Sequence, residues 1–350
     1  MAEARQFDRK RITRQVILSV FISLGTIVFI FSLVSFRGIT IDLSSFRSSF
    51  FLVGAVLVVI GWMVDATRVW VNVRALGRKI RFRDALTTAL SGYFMSSITP
   101  FATGGSPAQM YVLGRAGLTW GEAGSLVVVC GILYQVSLLC LLLLLIFGFH
   151  IGFSLEGFLL RLLYSFALFY SVLISLLLLF LRKPHILYRL VDGGIAIVKK
   201  YFKRIHFSEE SVREWTRHFL EEFSLGFSIL FSRKPQYLVW NIICYMVQYS
   251  MVFSVAYFVL RSLGTNPPYL GVLGAQIPLY FIFSLVPSPG ASGGAEIVML
   301  SAFIRYAGAQ RVGMFVLLWR IIIFYLPLLV GGYAFFRMLK LGNNQPINNK

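Results

Sequence analysis

The sequence is poor in charged residues, and poorest in acidic ones. Only 13% of its 350 residues are charged, against about 25% in ordinary soluble domains. Because 57% of the residues are hydrophobic, we do not expect a soluble protein. Fourteen Asp and Glu against 33 Lys and Arg leave a formal net charge of +19. On a soluble chain this excess would suggest nucleic acid as a partner, but the apolar background argues against it.

Cysteine and histidine are also scarce. The three cysteines at 130, 140 and 244 all lie in apolar runs, and the four histidines form no ligand pair. This excludes a disulfide framework and a zinc site. Neither a Walker loop nor a nucleophile–base arrangement is visible. We therefore expect no cofactor, no metal and no enzymatic activity.

The sequence instead has long apolar runs, two of which are interrupted by charged residues. A helix needs about 20 apolar residues to cross the hydrocarbon core of a bilayer. Six segments meet that length: 16–36, 48–71, 123–149, 162–181, 235–260 and 312–336. The predicted fold class is an all-α polytopic membrane protein.

Lys and Arg are distributed unequally between alternate loops. The N-terminal 15 residues, loop 73–84, segment 182–235 and the C-terminal end carry 24 of them, whereas the opposite loops carry four. Cytoplasmic loops are rich in Lys and Arg, so both termini are expected in the cytoplasm and the protein in the cytoplasmic membrane. The charged N-terminus is too long for a typical cleaved signal peptide and is expected to be retained.

Two further apolar stretches are interrupted. Segment 85–114 is broken by TPFATGGSP at 99–107, and segment 269–303 is broken by VPSPGASGG at 286–294. About 15 helical residues reach only about 22 Å, which is too short to cross the membrane. We expect two re-entrant hairpins of broken helices.

The two interruptions resemble each other. Pro100, Gly104 and Gly105 have the same spacing as Pro289, Gly293 and Gly294. With the sidedness above, the two hairpins enter from opposite faces, which is typical of inverted-topology repeats with a substrate site near the midplane.

The whole chain, 1–350, is expected to form one transmembrane domain. Repeat one covers about 50–181 and repeat two about 235–337. Between them, segment 185–233 is predicted to form amphipathic helices at the cytoplasmic face, with a capping box at Ser211 and Glu214. Its basic and aromatic residues suit anionic headgroups, but an ordinary cytoplasmic loop helix fits equally well.

The break at 99–107 also suits anion binding. Pro107 is expected at the first helical position with Ser106 as its cap, so that free N–H groups and the positive end of the helix dipole face a ligand. Alternatively, Gly and Pro at both breaks only permit close packing or a kink.

Four ionisable residues fall inside apolar segments: Asp65, Arg68, Glu296 and Arg320. Such residues are costly in a membrane and are functional candidates by default. Asp65 and Arg68, three residues apart, form either a self-neutralising pair or part of a site. Glu296 is expected to pair with Arg320, either as a structural ion pair or as a carboxylate that carries a proton or meets a cationic headgroup.

Residues 74–124 (RALGRKIRF…ITPFATGGSPAQM…TWGEAG) and 285–300 (LVPSPGASGGAEIVML) carry a resemblance to a known family. In their order and spacing they resemble the transmembrane, flippase-like family of lysylphosphatidylglycerol synthases, from the first span to about residue 337. In the best-understood relatives this domain moves an aminoacylated lipid between leaflets, whereas the cargo of many stand-alone members is unassigned. The resemblance implies that two facing turns form the lipid-headgroup cavity, with Pro100, Gly104, Gly105 and Pro107 in one and Gly293, Gly294 and Glu296 in the other. Because the chain ends about a dozen residues after its last span, aminoacyl transfer is not expected.

The predicted function is ATP-independent translocation of a phospholipid or lipid-linked headgroup, with membrane lipids, chiefly anionic ones, as partners. Secondary transport of a small anion and a non-transport, lipid-binding scaffold remain alternatives, and a homo-oligomer is compatible with the sequence. The candidate substrate-binding residues are Asp65, Arg68, Tyr93, Ser97, Thr99, Pro100, Gly104, Gly105, Ser106, Pro107, Gln109, Arg115, Pro289, Gly293, Gly294, Glu296 and Arg320.

Overall fold

A computed structural model describes residues 46–145, 209–233 and 235–342, together with isolated helical positions between 14 and 28 and between 168 and 179. This part of the chain is helical throughout and holds no strand. Its α-helices are α1 (Ser48–Ala75), α2 (Phe82–Ile98), α3 (Gly105–Arg115), α4 (Trp120–Leu143), α5 (Glu209–Ser228), α6 (Gln236–Ser262), α7 (Tyr269–Leu285), α8 (Gly294–Ala307), α9 (Val312–Arg320) and α10 (Leu326–Gly342). The predicted all-α class is confirmed.

Four of the predicted spans are helices long and apolar enough to cross a membrane. They are α1, α4, α6 and the continuous helix Val312–Lys340, in which a π-helical turn at Ile321–Tyr325 joins α9 to α10. The predicted spans at 16–36 and 162–181 lie outside the described residues, apart from isolated helical positions.

An antiparallel pair, α1 and α6, forms the centre of the bundle. At one end, the Arg47 amide donates to the Ser262 carbonyl at 2.8 Å; we call this the Arg47 end. Toward the other end, the Ala75 end, the side chains of Asn72 and Asn241 exchange hydrogen bonds. Helix α4 starts at the Ala75 end as well, because Arg78 just after α1 pairs with Glu122 in its first turn at 2.9 Å.

Two helix–turn–helix hairpins pack against this centre. Hairpin 1 consists of α2, the turn Pro100–Ala102 and α3; hairpin 2 consists of α7, the turn Pro289–Ala291 and α8. Short loops join α1 to α2 at the Ala75 end and α6 to α7 at the Arg47 end, so the hairpins start from opposite ends of the bundle. Their two turns are in contact. The 17-residue α2 is about 26 Å long and the 11-residue α3 about 17 Å, each below the hydrocarbon thickness of about 30 Å.

Small residues allow hairpin 1 to pack closely. A β-carbon on Gly105 would lie 2.2 Å from Ser96 Oγ, so α3 can approach α2 only because this position has no side chain. On the other side of α2, a β-carbon on Gly331 of α10 would lie 2.5 Å from the Leu90 carbonyl oxygen. Helix α2 therefore packs closely against both α3 and α10.

Helix α5 is amphipathic and packs its apolar face on the first turns of α4. Its aromatic side chains recur every fourth residue and stack in one row: Trp215, Phe219, Phe223, Phe227 and Phe231, the last just beyond α5. A β-carbon on Gly121 of α4 would lie 2.7 Å from the Phe219 carbonyl oxygen. The predicted capping box at Ser211 and Glu214 is wrong, because the helix already includes Glu209 and Ser211 lies inside it.

Candidate functional site: two buried ion pairs and two facing turns

A buried polar network forms around Asp65 on α1. Arg68 donates to Asp65 Oδ1 from Nε at 2.8 Å and from Nη2 at 2.5 Å, and both residues are less than 5% exposed. The hydroxyl of Tyr93 on α2 donates to the other carboxylate oxygen at 2.8 Å. Gln248 on α6 in turn donates to the Tyr93 hydroxyl oxygen. The carboxylate is thus neutralised and fully hydrogen-bonded, as burial requires.

The same network continues toward the Ala75 end through residues that the sequence analysis did not select. Arg68 Nη1 donates to Cys130 Sγ at 2.8 Å, and its guanidinium lies 4.4 Å from the ring centre of Tyr245. Asn72 and Asn241 exchange two amide hydrogen bonds of 2.8 and 2.9 Å. Polar residues inside apolar runs were the available signal, but nothing in the sequence pairs residues that lie 169 positions apart.

The turn of hairpin 1 is held mainly by its own hydrogen bonds. The Thr99 hydroxyl donates to the Met95 carbonyl at 2.7 Å and accepts from the Gly104 amide at 2.8 Å. The Pro100 carbonyl accepts from the Thr103 amide at 3.2 Å. Pro100 through Thr103 are exposed on the protein. The turn of hairpin 1 is therefore exposed and stabilised mainly from within, although it contacts the turn of hairpin 2.

The turn of hairpin 2 is partly buried and is held by a second ion pair. Arg320 Nη2 donates to Glu296 Oε2 at 2.7 Å, and the two side chains are 3% and 0% exposed. Arg320 also donates to the carbonyls of Gly290 at 3.2 Å and Ala291 at 3.4 Å. Glu296 Oε2 further accepts from the Gly293 amide at 2.8 Å. The predicted Glu296–Arg320 pair is confirmed. It stabilises the turn, because Arg320 bonds two of the turn carbonyls and Glu296 bonds the Gly293 amide.

The two polar clusters meet along α2. Ser97 lies one turn beyond Tyr93 and its hydroxyl donates to the Tyr93 carbonyl at 2.8 Å. A β-carbon on Gly290 would lie 2.9 Å from the Ser97 carbonyl oxygen, so the turn of hairpin 2 packs directly on this part of α2. A short path of contacts thus connects Asp65 to Arg320.

Two of the sequence predictions near α3 are corrected. The helix starts at Gly105, so Ser106 is its second residue, not its cap, and Pro107 its third, not its first. Proline is tolerated there because amides of the first turn have no intrahelical acceptor. Arg115 ends α3, about 15 Å along the helix from the turn, and so it does not lie at the turn with the other candidates.

The remaining candidates shape the hairpins. Gln109 packs against Gly92, where a β-carbon would lie 2.5 Å from its amide nitrogen. Pro289 is buried at the start of the second turn. Gly293 has φ 89°, a conformation that favours glycine, and a β-carbon on Gly294 would lie 2.8 Å from the Val286 side chain.

A shallow groove of about 360 Å³ lies elsewhere, toward the Arg47 end. It is mostly apolar and is lined by Leu57, Leu141, Leu144, Met246, Val247, Ser250, Met251, Ser254 and Tyr269. None of these residues belongs to the two turns, so the groove and the polar clusters are separate features.

The fold and these clusters together define a polytopic all-α membrane protein whose two hairpins meet beside buried charge. Comparison with known proteins specifies the class: residues 16–331 match the family described as lysylphosphatidylglycerol synthase TM region, and the chain belongs to that family. It is also similar to a UPF0104 membrane protein of Archaeoglobus fulgidus, with 27% identity over 293 residues that cover 81% of this chain and 84% of the relative.

Proposed function

We propose that this protein moves a phospholipid or lipid-linked headgroup across the cytoplasmic membrane without ATP. The observation that carries the proposal is the contact between two short hairpins that start from opposite ends of the bundle. Backbone that leaves helical geometry inside a membrane is tolerated where protein buries it or where it lines a cavity. Broken helices that meet in this way form the substrate site of inverted-repeat transporters.

In this proposal the hairpins are re-entrant and the two halves of the chain are inverted repeats. The lipid headgroup passes between the turns Pro100–Ala102 and Pro289–Ala291 while its acyl chains stay in the surrounding bilayer. Rocking of the repeats exposes the headgroup to each leaflet in turn, with both termini in the cytoplasm.

Arg320 is the residue that we assign to the headgroup phosphate. Its two terminal nitrogens are occupied by Glu296 and the turn carbonyls, but within the described part of the chain its Nε has no hydrogen-bond partner. A buried guanidinium N–H without an acceptor is costly. A phosphate oxygen at Nε would satisfy it without breaking the pair with Glu296.

Glu296 has a positioning role in this scheme. Its carboxylate holds Arg320 and accepts from the Gly293 amide, so it already occupies the N-terminus of α8. We therefore assign Glu296 to the orientation of Arg320 rather than to direct contact with the phosphate.

Exchange of fluorescent lipids in reconstituted vesicles tests the proposal. The panel contains fluorescent lipids with anionic, zwitterionic and aminoacylated headgroups. In vesicles with wild-type protein at least one of these lipids should move between the leaflets, whereas in protein-free vesicles none should. Glu296→Gln should slow the exchange by about tenfold or more, since a charge-assisted hydrogen bond contributes about 1.5–3 kcal/mol. The matched control is Glu221→Gln, at a carboxylate that is 56% exposed on α5.

Equal exchange by wild-type, Glu296→Gln and protein-free vesicles across the panel would refute the proposal. Uptake of inorganic phosphate without lipid exchange would favour the alternative of a transporter for a small anion. Lipid binding without either activity would favour a membrane scaffold.

A further inference from the structure

One residue at the hairpin turns has an unfavourable backbone and a large exposed side chain. Phe101 has φ 52° and ψ 22°, in the left-handed region that residues with a β-carbon avoid. The residue is 55% exposed, and none of the described aromatic rings pairs with its ring. A bulky residue in this conformation marks a position where some other requirement outweighs the backbone cost.

The second hairpin shows that the turn itself does not need this side chain. Gly290 occupies the matching position, with nearly the same angles, φ 60° and ψ 24°. There a β-carbon would lie 2.3 Å from the Phe324 ring, so the conformation favours glycine and the space requires it. In hairpin 1 the same turn forms with phenylalanine, although glycine would adopt it at lower cost.

Phe101 belongs to a turn that lies where the hairpins meet. The turn Pro100–Ala102 contacts the turn of hairpin 2 and helix α7, while Phe101 itself remains largely uncovered. The junction of the two turns also holds polar groups. They are the carbonyls of Gly290 and Ala291 and the Arg320 side chain that donates to them. Phe101 adds a large, exposed apolar side chain to the turn that contacts this junction.

We propose that Phe101 contacts the translocated lipid directly, at the apolar part that adjoins its headgroup. This inference rests on the proposed function and adds a specificity-determining residue to it. A lipid joins a polar headgroup to apolar chains, so a site that selects it needs a polar contact and an apolar one close together. A soluble anion would gain nothing from the ring.

Phe101→Gly tests the proposal without the usual risk of misfolding. The variant reproduces the residue found in hairpin 2, and because glycine relieves the left-handed strain, its melting temperature should equal or exceed that of the wild type. Its lipid exchange rate should fall by about tenfold or more, the loss expected when a buried phenyl contact disappears. Phe101→Leu, which keeps an apolar side chain, should retain most of the rate.

Ala102→Gly is the matched control. Ala102 is also left-handed, with φ 56°, and is also exposed, so the change relieves the same strain in the same turn but removes only a methyl group. Its exchange rate should be clearly higher than that of Phe101→Gly, because the ring is retained. Equal losses of rate in the two glycine variants would assign the effect to turn flexibility and overturn the role of the ring.

A photo-crosslinker provides a readout that does not depend on turnover. We would place p-benzoylphenylalanine at Phe101 and, as a control, at Leu329, which is 71% exposed on α10. Adducts at Phe101 should be enriched in one lipid class relative to the vesicle composition, whereas adducts at Leu329 should follow that composition.

The outcomes separate this inference from the function on which it rests. Absence of wild-type exchange with every lipid would defeat the proposed function and the inference together. Wild-type exchange with an unchanged rate in Phe101→Gly, or adducts at Phe101 that match the bulk composition, would defeat the inference alone.

Discussion

Replacing Asp65 by asparagine removes one charge from the buried network while keeping the size of the side chain. In the wild type, Arg68 donates two hydrogen bonds to one carboxylate oxygen and Tyr93 donates one to the other. After the change, the guanidinium of Arg68 stays buried at 3% exposure without a counter-ion. The remaining contacts, to Cys130 and the Tyr245 ring, carry no formal charge.

The expected loss is large because both partners are buried. Breaking a buried ion pair by removing one partner costs about 3–5 kcal/mol, since the other charge is left uncompensated. The asparagine side chain can still accept hydrogen bonds, so we expect a value near the lower end, about 3 kcal/mol. The double variant Asp65→Asn with Arg68→Met removes both charges and should recover at least half of this loss, because apolar replacement of a whole pair is often nearly neutral.

The assay is the free energy of unfolding of detergent-solubilised protein, titrated with SDS. The control is the pair Arg217–Glu221 on α5, which is in contact at 2.9 Å but is 71% and 56% exposed. Glu221→Gln should cost no more than about 0.5 kcal/mol. Equal effects of Asp65→Asn and Glu221→Gln, or a double variant less stable than Asp65→Asn, would refute the assignment of a buried, charged pair.

Three further predictions concern packing and hydrogen bonds. Arg320→Lys keeps the positive charge but should slow lipid exchange by about tenfold. An ammonium group cannot reach the carboxylate and both turn carbonyls together. Exchange at the wild-type rate would contradict the role of Arg320 in holding the turn. Gly121→Ala should lower the melting temperature measured by fluorescence, because its β-carbon would meet α5 backbone at 2.7 Å, whereas Gly131→Ala, with nothing within 4 Å, should not. Asn72→Leu alone should cost about 1–3 kcal/mol in the SDS titration by removing the amide partner of Asn241, whereas the double leucine variant should cost less; additive losses would contradict the pair.

The two turns differ in their surroundings. The turn of hairpin 2 is partly buried and is tied to α9 through Arg320, whereas the turn of hairpin 1 is exposed and most of its hydrogen bonds are internal.

Much of the architecture follows from the sequence alone because its causes are local. Scarce charge and long apolar runs determine the membrane class, and Pro and Gly mark the ends of the short hairpin helices. The spacing of Asp65 and Arg68 placed them on one helix face, and their pairing is confirmed. The Glu296–Arg320 pair was also anticipated, since a carboxylate without a local cation needs a partner nearby.

Other features depend on contacts between distant segments. The Asn72–Asn241 and Tyr93–Asp65 hydrogen bonds join different helices, and helical periodicity fixes the face of a residue but not the helix that it meets. The start of α3 at Gly105 depends on close packing against Ser96, which no capping pattern reveals. By itself the sequence determined that two broken helices would exist and which charges they would carry. Only the tertiary structure decided that their turns touch and that Phe101 stands uncovered where they meet, because both results come from packing between segments that lie far apart in the chain.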